Sequence, residues 1–133
     1  MNVVRFEPRR ESVGMGHPWI GTDVLIDGEL VSHEGVGPDP EDLIRELEAP
    51  IPAAVRVRVC SCGFQECWSL AVTVRQDQGA VIWGDWRDGT TEGGGTFPSE
   101  PVERPVLRFR LGQYSAAVEE LRSLSRGWNA RDV

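Results

Sequence analysis

Residues Val55 to Trp86, VRVRVCSCGFQECWSLAVTVRQDQGAVIWGDW, leave the chain few ways to fold. They hold three β-type runs, all three cysteines and three of the five tryptophans. Val55, Val57 and Val59 alternate with Arg56, Arg58 and Cys60, the period of two expected of a strand with one buried face. In the next run Trp68, Leu70, Val72 and Val74 fall on one face, and Ser69, Ala71, Thr73 and Arg75 on the other. Asp77-Gln78-Gly79 is a tight-turn sequence in which glycine takes positive φ without strain. Ala80 to Trp86 is rich in β-branched and aromatic residues and reads as a third strand. Links this short join only antiparallel neighbours, so the stretch predicts a three-stranded meander.

On the N-terminal side, Val3 to Glu7 is a short strand that Pro8 ends, and Arg9 to Pro18 is a loop. Ile20 to Ile26 and Glu29 to Ser32 flank Asp27-Gly28, a strong hairpin signal. His33 to Pro38 reads as loop. Asp39 as N-cap, Pro40 at the first helical position and acidic Glu41 and Asp42 then start a helix. Leu43, Ile44 and Leu47 form its apolar stripe, and Pro50 and Pro52 stop it. Beyond the meander, Asp88 to Pro101 is polar, glycine-rich and predicted to be a surface loop. Val106 to Leu111 is a further strand. Gln113 to Arg126 is an amphipathic helix with Tyr114, Ala117, Val118, Leu121 and Leu124 inward and Gly127 at its end. The expected fold is a single α+β domain over residues 1–133. A mostly antiparallel sheet of about six strands carries two amphipathic helices on one face.

A net charge of −7 argues against a nucleic-acid partner, which requires a positive footprint. All 14 basic residues are arginine; the absence of lysine excludes a Schiff-base lysine and a P-loop lysine. There is no apolar h-region in the first twenty residues and no apolar run approaching ~18 residues, so neither a signal peptide nor a membrane span is expected. An odd number of cysteines then points to a reducing cytoplasm.

Two constellations carry chemistry. Cys60, Cys62 and Cys67 form C-x-C-x4-C at the tip of the first hairpin, where Cys60 and Cys62 project to one side and Gly63 turns the chain. The thiols read in three ways: as small semi-buried hydrophobes, as a zinc site, or as a disulfide between Cys67 and one of the others. Zinc wants four ligands, so His17 or His33 would have to complete the set. The second constellation is the outer sheet face, where the alternation places Arg56, Arg58, Arg75, Arg108 and Arg110 together, with Trp83 as a candidate aromatic. Arginine and tryptophan are enriched at interface hot spots, so Arg56, Arg58, Trp83, Arg108 and Arg110 form the candidate partner-binding set. On an exposed face their replacement is expected to cost little stability.

No nucleotide-binding, zinc-protease or serine-hydrolase motif occurs, and neither histidine sits in a cysteine-protease signature. The Cys-Gly hairpin, the strand Val81-Ile82-Trp83 and the run Phe109 to Ala117 together resemble a group of small uncharacterised bacterial proteins. These share a C-x-C-G-x3-C hairpin, a Trp strand and a C-terminal F…QY helix. The likeness covers Val55 to Leu124 and implies no catalytic residue. The expected function is a non-enzymatic cytoplasmic interaction protein, of the immunity type, that binds a toxin or another protein without a cofactor. The alternatives are a small zinc protein built on the cysteine cluster and, behind it, a cysteine enzyme.

Overall fold

Where two residues in a row take positive φ, the backbone twist matches that of the flanking antiparallel strands. Asp27 and Gly28 do so (φ 53° and 85°), as do Gln78 and Gly79 (φ 48° and 77°). These turns join β2 (His17–Ile26) to β3 (Glu29–Leu30), and β5 (Ser69–Asp77) to β6 (Ala80–Gly89). The computed structural model describes residues 1–62, 67–89 and 99–131, without the side chains of 128–131. Its remaining strands are β1 (Val4–Val13), β4 (Ala53–Val59), β7 (Glu100–Pro101) and β8 (Leu107–Arg110). The helices are α1 (Pro40–Leu47) and α2 (Leu111–Arg131).

The chain is α+β with antiparallel pairing within its sheets, but it builds two sheets, not one of six strands. One has three strands in the order β1-β2-β3. The other has five: β4, β5 and β6 form the predicted meander, and β6 is then paired by β8 along Ala80–Trp83 and by β7 at Arg87 and Asp88. The predicted loop from Arg9 to Pro18 is largely strand, because β1 and β2 stay paired from Val4↔Ile26 to Val13↔His17. Pro8 lies inside β1 and is tolerated because β1 is the outer strand of its sheet. The expected loop from Asp88 to Pro101 starts and ends in strand, and residues 90–98 lie outside the described part.

Both margins of the two sheets are stitched by backbone. Asn2 bridges to Phe109 of β8 on one side. On the other, Val36 and Val59 exchange N–H···O=C bonds of 2.9 Å, and the Thr22 N–H donates to the Pro38 carbonyl at 2.8 Å. Residues 35–38 thus form a strap between β2 and β4. Its glycines are there for clearance: a Cβ on Gly37 would sit 2.3 Å from the Thr22 carbonyl oxygen, and one on Gly35 would sit 2.1 Å from that of Val59. Val4, Phe6 and Val24 from the first sheet share one core with Val55, Val57, Val72 and Trp83 from the second. Both helices close this core, with Leu43 from α1 and Tyr114, Ala117 and Leu121 from α2. Helix α1 packs on β4, α2 on β1, and the two helices on each other. None of the described helices is long and apolar enough to cross a membrane.

Candidate metal centre

The hairpin between β4 and β5 positions the three cysteines. The Cys60 N–H donates to the Trp68 carbonyl at 3.0 Å, which extends the β4–β5 pairing one step beyond the strands and brings Cys67 back beside Cys60. Cys62 sits two residues further along, in the turn; the expected turn at Gly63 lies outside the described residues. The three Sγ atoms all fall within 4.8 Å of one another, and none is in a disulfide. Cys60 and Cys62 are half-buried and Cys67 is exposed, so the cluster opens to solvent at one corner.

Hydrogen bonding to Cys60, then to Cys62, with a smaller contribution from desolvation, pushes the Cys67 thiol up to about 11. Cys67 is therefore a thiol at neutral pH, the opposite of the depressed value that marks an activated nucleophile. A metal cation reverses the balance, since a coordinating thiol is deprotonated outright. A zinc ion with Zn–S bonds of ~2.3 Å holds tetrahedral sulfurs roughly 3.8 Å apart. The sulfurs at up to 4.8 Å need draw in by about 1 Å at most to reach that spacing. The donor set, thiolates alone, suits zinc or another soft ion and not magnesium or calcium. Neither His17 nor His33 joins the three sulfurs within that distance.

The candidate partner-binding residues do not share a face. Trp83 is fully buried, in edge-to-face contact with Trp86, Phe109 and Tyr114 at 5.2–6.3 Å between ring centres, and its Nε1 donates to the Tyr114 hydroxyl at 3.2 Å. Two bulges break the alternation that the sequence pattern assumed. On β6, Gly84 pairs with Thr73 and Arg87 with Ala71, so Asp85 and Trp86 together oppose one residue and the facing parity flips. Trp83 and Trp86 then both turn inward. On β4 the register slips between Arg56 and Arg58, and Val57, Arg58 and Val59 are all buried.

Arg58 lies under the strap and the β1–β2 hairpin. Its Nε and Nη2 donate to the carbonyls of Glu34 and Gly35 at 2.8 and 2.7 Å, and Nη1 stands 3.5 Å from Asp23. Arg56 is tied to α1: its Nε and Nη2 contact Glu46 Oε2 at 2.8 and 2.6 Å, and its backbone N–H donates to Glu46 Oε1 at 2.7 Å. Only Arg108 and Arg110 are exposed, side by side on one face of β8. The polar network around Arg58, with Glu11, Asp23 and Arg9, escaped the sequence reading. Its one signal was Thr22-Asp23 standing inside an otherwise apolar strand run.

Comparison with protein-family models, with curated proteins and with solved structures found no match to this chain.

Proposed function

We propose that this is a small zinc-binding protein whose metal is held by the thiolates of Cys60, Cys62 and Cys67. The observation that carries the reading is the convergence of all three sulfurs to within 4.8 Å at a half-open hairpin tip. Two features beside it favour metal over the other uses of cysteine. A catalytic thiolate needs a lowered pKa, and Cys67 is pushed the other way. A disulfide would engage two of the sulfurs and leave the third idle, whereas one soft cation employs all three. The protein-partner reading now has only Arg108 and Arg110 as exposed members of its set, two charges without an aromatic anchor, and ranks second.

The test is metal analysis of protein expressed in zinc-supplemented medium and purified under reducing conditions without a metal-affinity tag. Zinc should approach one equivalent per chain, fall away in each of Cys60→Ser, Cys62→Ser and Cys67→Ser, and shield the thiols from alkylation. Because bound thiols are deprotonated, affinity should strengthen as pH rises. Zinc content well under one equivalent in the unaltered chain, with no uptake on reconstitution, rejects the proposal.

A further inference from the structure

Three thiolates leave a tetrahedral ion one ligand short. Resting on the metal-binding reading above, we infer that His17 is the fourth ligand, and that the closed Cys3His site pins the β1–β2 hairpin to the cysteine hairpin of the other sheet.

Strand register argues for it first. His17 pairs directly with Val13, and residues directly opposite in an antiparallel pair project to the same face. Val13 packs against Val36 and Val59, and Val59 is the residue before Cys60. The next residue of that parity on β2, Trp19, packs against the same cluster and donates its Nε1 to Gly37 on the strap. His17 therefore projects toward the side of the sheet on which the cysteine hairpin lies.

Backbone contact argues for it second. The turn between β1 and β2 is docked on the cysteine hairpin itself. The Gly14 N–H donates to the Ser61 carbonyl at 2.9 Å, between Cys60 and Cys62 in sequence. A Cβ on Gly14 would lie 3.1 Å from the Cys62 carbonyl oxygen, so the two backbones touch. His17 closes this turn, its own N–H donating to the Gly14 carbonyl at 3.2 Å.

The His17 side chain is exposed and none of the described hydrogen bonds or ion pairs holds it. Rotation about its side-chain torsions breaks none of the described hydrogen bonds or ion pairs, and the gain is a Zn–N bond of ~2.0–2.1 Å. His33, the other histidine, is not part of this turn. It precedes the bend at Gly35 (φ 64°), outside the pairing that sets Val36 against Val59. A site with four protein ligands has no position left for substrate, so this zinc holds structure together and performs no reaction.

The test uses cobalt(II) as a spectroscopic probe, titrated into the metal-free, reduced full chain and into His17→Ala and His33→Ala. The unaltered chain and His33→Ala should show the visible absorption of tetrahedral cobalt with thiolate charge-transfer bands at one equivalent. His17→Ala should still bind through three thiolates, with a shifted visible spectrum and an affinity weaker by roughly tenfold or more. Even groups that only orient a metal ligand are worth about 10–100-fold. In the zinc form of the unaltered chain, the His17 imidazole nitrogen resonances should move on metal addition. Identical spectra and affinities for the unaltered chain and His17→Ala overturn the assignment of His17 and leave the metal site standing. The same holds if His33→Ala alone weakens binding. Failure of the unaltered chain to take up cobalt or zinc overturns both.

Discussion

Arg58 differs from Arg110 in little that its local sequence records, since both alternate with apolar residues in a strand. One is 3% exposed and the other is on the surface. Burial pushes the Arg58 guanidinium below its ordinary value, and the carboxylates of Glu11 and Asp23 oppose that shift. Two backbone carbonyls and Asp23 make the buried charge tolerable. Removing it strands those acceptors and leaves Asp23, itself only 9% exposed, without its buried cation. Arg58→Ala should therefore destabilise by about 3–5 kcal/mol, the range for breaking a buried pair from one side. Arg110→Ala should stay within about 0.5 kcal/mol. Urea denaturation of the two variants measures the difference. Equal costs would mean that Arg58 does not hold the strap to the five-stranded sheet.

At the scale of elements, α2 shows both the reach and the limit of helical periodicity. It begins at Leu111 and runs through Gly127, which was expected to end it, to Arg131. Tyr114, Ala117, Val118 and Leu121 are buried as their spacing requires. The stripe then passes to Ser125, 5% exposed, and not to Leu124, 39% exposed. A turn of 3.6 residues carries the line from Val118 and Leu121 to position 125, and a leucine one place earlier falls off it. The helix is core and not an appendage. Leu121, fully buried, should cost ~2–5 kcal/mol on replacement by alanine. Exposed Glu120→Ala should change stability by about 0.5 kcal/mol or less. Thermal melts of both variants test the helix register, and similar effects would contradict it.

At the scale of the whole molecule, the five-stranded sheet and α2 meet at Trp83, Phe109 and Tyr114. The Tyr114 hydroxyl accepts the Trp83 N–H and joins α2 to the centre of the sheet. Burial pushes this phenol up to about 12 from its ordinary 10, against a small opposing effect of the Trp83 bond. A raised value means that the folded state favours the proton. The associated stability is complete below about pH 10 and is lost as pH rises through about 12. It amounts to about 2–3 kcal/mol, at ~1.36 kcal/mol per pKa unit. Tyr114→Phe has no such proton to lose, but it leaves the Trp83 N–H unpaired at a cost of ~1–3 kcal/mol. Unfolding free energies at neutral pH should therefore favour the unaltered chain, and the gap should narrow as pH approaches 12. A gap that stays constant with pH would show that the phenol is not buried in the folded state.

Several features of this protein are written in short stretches of chain. Asp27-Gly28 and Gln78-Gly79 form turns with paired positive φ because glycine removes the steric penalty at the second position. Asp39 caps α1, accepting from the amides of Glu41 and Asp42, because its short carboxylate reaches them without leaving its own backbone position. The meander and the gathering of Cys60, Cys62 and Cys67 follow from the brevity of the links between the runs. The second sheet does not follow, nor do the burial of Arg58 and Trp83 or the approach of the Gly14 turn to the cysteine hairpin. Alternation of period two records that a strand has one apolar face and is silent on whether another layer covers the opposite one. One bulged residue, as at Val57 or Asp85, reverses that parity without any mark in composition. Both are settled by partners distant in the chain: Asn2 against Phe109, Val36 against Val59 and Asp23 against Arg58. Those pairings depend on how the two sheets fit around a shared core, and shape at that range is a property of the folded whole.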